Sequence, residues 1–242
     1  MKLSKIRQAF ILCGGKGERL FPLTKELPKP MIEINGRPMI EHLVEHLSDF
    51  GVEKIVFGTG YKNESISNYF GDGKKFGLKF FYSHEDEPLG TGGALKKASS
   101  FLDEFFFMLN GDNISDVDLL QMEKQHFAKK GQSTIALVKV SETKNFGIAR
   151  LDGDMITEFV EKPDEKNAPS NWANAGLYII NKPCIDLIPS GFSMIEKNLF
   201  PHLAKQGELF GFKHYGKWFP TDTIEKLELA RKELFKKEKE TK

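Results

Sequence analysis

A single-domain, Rossmann-like α/β fold, with a mixed, mainly parallel sheet and helices on both faces, is predicted by three observations. Short apolar runs such as Ala9–Cys13 and Phe105–Leu109 have the length and continuity of strands buried on both faces. Stretches with helical apolar spacing alternate with them, as in Ile40, Leu43, Val44, Leu47 and Phe50. The first run passes directly into Gly14, Gly15 and Gly17, where missing side chains let backbone N–H groups approach an anion.

The elements follow in order. After Ala9–Cys13, residues Met31–Ile34 are strand-like and end in an Asn35-Gly36 turn; Pro38 opens a helix closed by Gly51. Lys54–Phe57 is the next strand, Asn63 is positioned to cap a helix through Phe70, and Leu78–Tyr82 is a further strand. A second glycine-rich turn, Glu85 to Leu95, precedes a helix, and Phe105–Leu109 ends at Asn110-Gly111-Asp112-Asn113. An Asp at the carboxyl end of a central strand stands where open α/β sheets bind ligands, although Asn-Gly-Asp-Asn is also good turn chemistry.

Asp116 is expected to cap a helix to Lys130, followed by a strand at Ser133–Val140 and a hairpin from Gly147 to Val160 turning at Asp152-Gly153. The polar stretch 164–171 reads as a lid or as a solvated connection. Ala175–Ile180 is a strand with Asn174 and Gly176 at its start, Pro183–Ile188 and Met194–Lys205 are helices, and Leu209–His214 is a strand. Trp218–Thr223 reads as a turn before a last helix whose charged end, Lys236–Lys242, is expected to fray. No internal repeat is present, and no β-helix repeats are expected to follow the last helix.

Composition narrows the partners. Lys+Arg 35 against Asp+Glu 34 gives a net charge of +1, which gives no reason to expect general binding to nucleic acid or an anionic membrane, so neither is expected as a partner. The first apolar run is too short for a signal h-region or a membrane span. Cys13 and Cys184 stand far apart with no Cys/His cluster, so neither a disulfide framework nor a zinc site is expected, and a reducing cytoplasm is the default. His84, His126, His202 and His214 show no metal-ligand spacing.

Lys16, Arg19, Lys25 and Lys29 surround the first glycine turn, a combination that suits phosphate. The spelling Gly15-Lys16-Gly17-Glu18-Arg19-Leu20 lacks the third glycine of a dinucleotide fingerprint, and no Gly-Lys pair there is followed by Ser or Thr, which excludes a P-loop. A plain glycine turn remains the simpler alternative for this loop alone.

Six segments in order carry a resemblance: Gly14 to Leu20 with Pro28-Lys29-Pro30; Glu87 to Gly92; Asn110-Gly111-Asp112; Phe159 to Pro163; Asn174 to Tyr178; and Trp218 to Thr223. Together they resemble the sugar-1-phosphate nucleotidyltransferases over essentially the whole chain. The resemblance implies an enzyme with nucleoside triphosphate and sugar 1-phosphate as substrates and Mg²⁺ as cofactor. It also implies one domain, 1–242, with a nucleotide-binding part at about 1–140, a sugar-phosphate part at about 141–223 and a C-terminal helix at 224–242. Family members often self-associate, so a homo-oligomer is implied, though no stretch specifies an interface.

Residue by residue, the resemblance places Cys13, Gly14, Gly15, Lys16, Gly17, Arg19, Lys29, Glu85, Pro88, Gly90, Thr91, Gly111 and Asp112 against the nucleotide. Asn113, Gly147, Glu161, Lys162 and Asn174 would bind the sugar phosphate, and Asp112 and Asp222 the metal. Arg19, Lys29, Asp112, Lys162 and Asp222 are the implied catalytic set. Two polyanions must meet in such a reaction, so positioning and charge neutralisation supply most of the catalysis.

Glu85 replaces the Gln found in thymidylyltransferases of the family. A carboxylate only accepts, which suits the paired donors of guanine and is repelled by the carbonyls that flank the lone N–H of thymine or uracil. Ser83 to Thr91 is thus similar to mannose-1-phosphate guanylyltransferases, with GTP and mannose 1-phosphate as implied substrates. Trp218-Phe219-Pro220-Thr221-Asp222-Thr223 is instead similar to glucose-1-phosphate cytidylyltransferases, which keeps CTP, UTP or dTTP with glucose 1-phosphate as alternatives. A non-catalytic nucleotide-sugar-binding regulatory subunit is the alternative of another class.

Overall fold

A computed structural model describes residues 4–240, with side chains through residue 234. Strand β1 (Gln8–Leu12) lies inside the sheet with a neighbour on each side, as its apolar run Ala9–Leu12 requires. A small antiparallel pair, β2 (Glu33–Ile34) with β3 (Arg37–Pro38), turns at Asn35-Gly36 and leads into α1 (Met39–Asp49), with Pro38 at the N-cap. Then come β4 (Lys54–Thr59), α2 (Asn63–Phe70), β5 (Lys79–His84), α3 (Gly90–Ala98) and β6 (Phe105–Asn110).

The second half contains β7 (Asn113–Ser115), α4 (Leu119–Lys129), β8 (Ser133–Lys139), β9 (Gly147–Asp152), β10 (Met155–Glu161) and β11 (Trp172–Asn181). It closes with α5 (Ile195–Asn198), α6 (Phe200–Gln206), β12 (Leu209–Lys213), β13 (Trp218–Pro220) and α7 (Ile224–Glu240). Nine strands form one sheet in the order β5-β4-β1-β6-β11-β8-β12-β10-β9. The pairs joining β5, β4, β1 and β6 are parallel, as is β8–β12, whereas β11 runs antiparallel to both β6 and β8. The sheet is therefore mixed, with three of its four parallel pairs gathered in the first half of the chain.

Period-two alternation divides the buried residues between two faces. Ile11, Phe107 and Leu109 pack with α1, α4 and α7 through Leu43, Met122 and Leu227. Phe10, Phe106 and Met108 pack on the other face with α3 and α6 through Leu95 and Phe200. Each such side chain, fully buried, contributes about 1.5–3 kcal/mol, so the alternation strongly fixes strand register.

Several local expectations are corrected. Asp118, not Asp116, caps α4, accepting from the Gln121 N–H at 3.0 Å; Asp116 instead accepts from the Lys217 N–H at 2.7 Å. Asn63 does not cap α2. Lys62 holds that position in a left-handed conformation (φ 51°), and Asn63 Nδ2 meets His84 Nδ1 at 3.0 Å. The helix expected over Met194–Lys205 is two, because Leu199 is the joint and Pro201 lacks the N–H that a continuous ladder needs. The hairpin turns one residue later than expected, at Gly153-Asp154. Of the end expected to fray, the backbone from Lys236 to Glu240 continues α7, and Thr241 and Lys242 lie outside the described residues.

The largest difference is at Trp218–Thr223. Residues Trp218–Pro220 are a strand, β13, paired antiparallel with β7 in the register Trp218↔Ser115, Phe219↔Ile114, Pro220↔Asn113. Proline is tolerated in so short a pair. This ladder brings two distant acidic positions together.

Candidate active site

The carboxyl ends of β1, β5 and β6 open into one cleft of about 720 Å³. Every residue that the sequence assigned to the nucleotide lines it, from Cys13 to Gly17 through Glu85 and Pro88 to Asp112, together with Asn110, Phe192 and Asp222. Ligand crevices form at such strand ends in open α/β sheets.

The loop after β1 is shaped by close approach. A Cβ on Gly14 would overlap the Glu85 carboxylate. Gly17 has φ 64°, and a Cβ there would lie 2.8 Å from the Lys29 Cβ, so glycine lets the lysine stem pass beneath the loop. Thr24 Oγ1 donates to the Gly17 carbonyl at 3.1 Å and holds the loop closed. Lys16 lines the cleft, whereas Lys25 does not; the Lys25 carbonyl accepts from Lys62 Nζ at 2.6 Å.

Ion pairs tie this loop to the acidic residues. Lys29 Nζ lies 2.7 Å from Asp112 Oδ2, and Arg19 Nη1 lies 2.6 Å from Asp222 Oδ2. Lys226 Nζ holds the second Asp222 oxygen at 2.8 Å. Burial pushes the Asp222 carboxyl upward, but the Lys226 hydrogen bond and charge with the Arg19 charge outweigh it and hold it below the ordinary value. The two aspartates are neighbours because Thr221 Oγ1 donates to the Asp112 carbonyl at 2.8 Å and the Thr221 N–H donates to it at 3.2 Å.

Do these residues fit a metal? No group of three or more His, Cys, Asp or Glu among the described residues forms a protein cage. Mg²⁺ does not need one. It takes one or two carboxylates and completes its shell with substrate phosphates and water, and two hard oxygen ligands on one cleft wall meet that requirement.

Glu85 is half-buried. Its Oε2 accepts from the Leu89 N–H at 3.1 Å. Burial raises its pKa above the ordinary value, opposed by the Leu89 hydrogen bond and the charges of Lys97 and His84. It is a wall of the cleft and not a member of a solvated acidic turn.

None of the residues assigned to the sugar phosphate lines this cleft. They gather beside it on the antiparallel half. Gly147 pairs with Glu161 across β9 and β10, and Lys162 Nζ lies 3.5 Å from Glu161 Oε1. Lys162 adopts φ 49°, a strained setting for a non-glycine residue. Asn174 stands at an irregularity of β11, donating to the Tyr178 hydroxyl at 2.9 Å and accepting from the Gly176 N–H at 2.9 Å. Asn113 Nδ2 abuts Gly176, where a Cβ would overlap it.

Sequence reasoning missed three residues that join the halves. Asn110, at the end of β6, has a buried Oδ1 with no hydrogen-bond partner among the described residues, an unpaired acceptor on the cleft wall. Glu196, 6% exposed, accepts from Thr91 Oγ1 at 2.6 Å; that hydroxyl in turn accepts from the Ile195 N–H at 3.0 Å. Burial raises the Glu196 pKa, with Thr91 opposing, Glu161 reinforcing and Lys162 opposing. Phe192 stands on the cleft wall. Only Asn110 was signalled, by its place in the Asn-Gly-Asp turn; Glu196 comes from a four-residue helix and Phe192 from a loop, with no motif.

No helix among the described residues is long and apolar enough to cross a membrane. The chain is 41% identical over 218 residues to a mannose-1-phosphate guanyltransferase of Candida albicans, a match covering 87% of this chain and 60% of that protein. It is 35% identical over 222 residues to the Mycobacterium tuberculosis mannose-1-phosphate guanylyltransferase, covering 90% and 61%. The chain thus spans about three fifths of the length of these curated relatives. Among solved structures, HddC from Yersinia pseudotuberculosis complexed with GMP-PN superposes with a TM-score of 0.79 at 26% identity, covering 95% of this chain and 100% of that one. UDP-glucose pyrophosphorylase complexed with UDP-glucose gives a TM-score of 0.83 at 25% identity, covering 96% and 99%. The profile of the nucleotidyl transferases matches residues 8–236, from the first strand into the last helix, and the chain belongs to the nucleotidyl transferase family.

Proposed function

We propose that this protein transfers a nucleotidyl group from GTP to mannose 1-phosphate, giving a nucleoside-diphosphate sugar and pyrophosphate. The observation that carries this reading is the pair of ion pairs, Lys29–Asp112 and Arg19–Asp222, on a cleft walled by glycine-rich backbone. Two cations and two carboxylates at one end of a nucleotide-sized cleft match the charges of a triphosphate and its metal.

In this reading a phosphate oxygen of the sugar 1-phosphate attacks the α-phosphorus. A new P–O bond forms, the bond to the bridging oxygen breaks, and its electrons leave with pyrophosphate. The attacking oxygen is already anionic, so no protein base is required. Lys162 orients the sugar phosphate as a point charge, and Arg19 and Lys29 stabilise the departing pyrophosphate. Asp112 and Asp222 would hold Mg²⁺, which when bound neutralises charge on the phosphate oxygens. Glu161, Asn174, Asn113 and the Gly147 backbone bind the sugar, and Asn110 Oδ1 accepts from a ligand hydroxyl. Glu85 Oε1, with Oε2 engaged by Leu89, accepts from the donor edge of guanine.

A second reading, CTP or UTP/dTTP with glucose 1-phosphate, is favoured by the Trp218–Asp222 spelling. Pyrophosphate release by the purified protein with Mg²⁺ tests both, using GTP, ATP, CTP, UTP and dTTP crossed with mannose, glucose and heptose 1-phosphates. Fastest release with GTP and mannose 1-phosphate is expected, while activity confined to dTTP or UTP overturns the Glu85 argument. Nucleotide-sugar binding with no release in any combination identifies a regulatory subunit instead. The buried free thiols of Cys13 and Cys184 support a cytoplasmic setting.

A further inference from the structure

Glycines at the first turn of a helix beside a phosphate cleft suggest room for phosphate. Around Gly90, Gly92 and Gly93 the neighbour is protein instead. The Gly92 and Gly93 N–H groups donate to the Ser193 carbonyl at 2.8 and 3.2 Å, and the Ser193 N–H donates to the Leu89 carbonyl at 2.9 Å. A Cβ on Gly90 or Gly93 would overlap the carbonyl of Ser193 or Gly191. Asn198 Oδ1 fixes the far side, accepting from Ser193 Oγ at 3.0 Å and the Met194 N–H at 3.1 Å.

Phe192 is carried by this pinned segment. It is 69% exposed, yet it forms part of the cleft wall, with a ring carbon 3.3 Å from where a Gly90 Cβ would stand. A single exposed aromatic is ordinary on a protein surface. Here the backbone of the adjoining residue is held by three hydrogen bonds to the turn that carries Glu85, Pro88 and Thr91. A pre-positioned ring loses little conformational freedom when it meets a flat partner, and every nucleobase offers a π face.

We propose that Phe192 is the stacking face for the nucleobase, a binding residue that holds the base at the Pro88-Gly90 wall whatever its hydrogen-bonding edge. This rests on reading the cleft as a nucleotide site and not on the choice of guanine. Division of labour follows: Phe192 supplies affinity common to all bases, and Glu85 supplies discrimination.

Calorimetric binding of GDP and of inorganic pyrophosphate to the wild type, Phe192→Ala and Phe192→Tyr tests it. Phe192→Ala is expected to weaken GDP binding roughly five- to a hundredfold while leaving pyrophosphate binding and Tm unchanged, and Phe192→Tyr to restore GDP binding. In Phe192→Trp, GDP is expected to quench the added fluorescence and pyrophosphate is not. Unchanged GDP affinity in Phe192→Ala, or equal losses for GDP and pyrophosphate, overturns the proposal. Preference of the wild type for another nucleoside diphosphate overturns the guanine assignment alone, and the same variants are then compared with that ligand. A wild type that binds pyrophosphate but no nucleotide overturns both.

Discussion

Lys29 and Asp112 form an asymmetric pair: Nζ and Oδ2 are 2.7 Å apart, but the lysine side chain is 9% exposed and the aspartate 37%. The buried member is the cation. Removing the aspartate strands a desolvated charge, whereas removing the ammonium leaves a carboxylate that water reaches. Lys29→Met, which keeps the apolar stem, is therefore expected to change Tm little while lowering kcat/KM on the order of 10²–10³, the scale for losing a positioned electrostatic group. Asp112→Asn is expected to cost about 1–3 kcal/mol of stability as well as activity. Melting curves beside pyrophosphate-release rates separate the two.

Asp222 has a depressed pKa in the fold, so its pairing with Lys226 and Arg19 stabilises the protein above the ordinary carboxylate range, and that contribution disappears as pH falls through the depressed value. Asp222→Asn is expected to be less stable than the wild type at neutral pH, with the difference closing in acid. The same variant is expected to lose Mg²⁺-dependent turnover by about a hundredfold. Turnover and metal dependence like the wild type's would remove Asp222 from the metal site.

Glu196 behaves oppositely. Its folded pKa is raised above 4.5, so the fold holds its proton more tightly than the unfolded chain does, and stability falls as pH rises from 4.5 through the raised value. Glu196→Gln keeps an acceptor for Thr91 and removes the charge. Its Tm is expected to gain on the wild type as pH rises across that window; parallel curves would show that the carboxylate does not titrate there.

Glycine positions differ in purpose. Gly15 has no atom within 4 Å of a would-be Cβ, whereas Gly93 has the Gly191 carbonyl in the way and Leu89 Cβ at 2.9 Å. Gly93→Ala is expected to destabilise the fold by about 1–3 kcal/mol through overpacking. Gly15→Ala is expected to leave Tm unchanged and weaken nucleotide binding, because the new methyl would occupy open space at the cleft proposed for the nucleotide. Thermal shift with and without GTP reads both effects.

Glu85→Gln tests base choice. An amide both donates and accepts, so the preference for GTP over dTTP is expected to narrow by about tenfold or more, on the scale of one hydrogen bond to a charged group. The ratio of kcat/KM for the two nucleotides is the readout.

The parallel half of the fold was legible because its strands are continuous apolar runs ending in glycine or Asn-Gly-Asp, signals set by local sequence. The cleft wall was legible for the same reason: Gly14, Glu85 and Asp112 each follow a strand end. Asp222 was found only by resemblance to a family turn. Its setting two residues beyond a strand paired with Asn113–Ser115 is a tertiary fact, since three residues ending in proline carry no strand pattern. Glu196 was illegible because one acid among many charges shows its burial only when Thr91, 105 residues away, closes over it.

The β7–β13 ladder also bears on how the molecule is made. Its partners, Asn113–Ser115 and Trp218–Pro220, enclose between them most of the second half of the chain. Contacts of such separation form late in folding, and a growing chain exposes its N-terminal elements first. A nascent chain can thus complete the strand ends proposed to hold a nucleotide while still lacking one of the two carboxylates proposed to hold the metal. On the proposed reading, capacity to bind precedes capacity to react, and pairing of β13 with β7 completes the site.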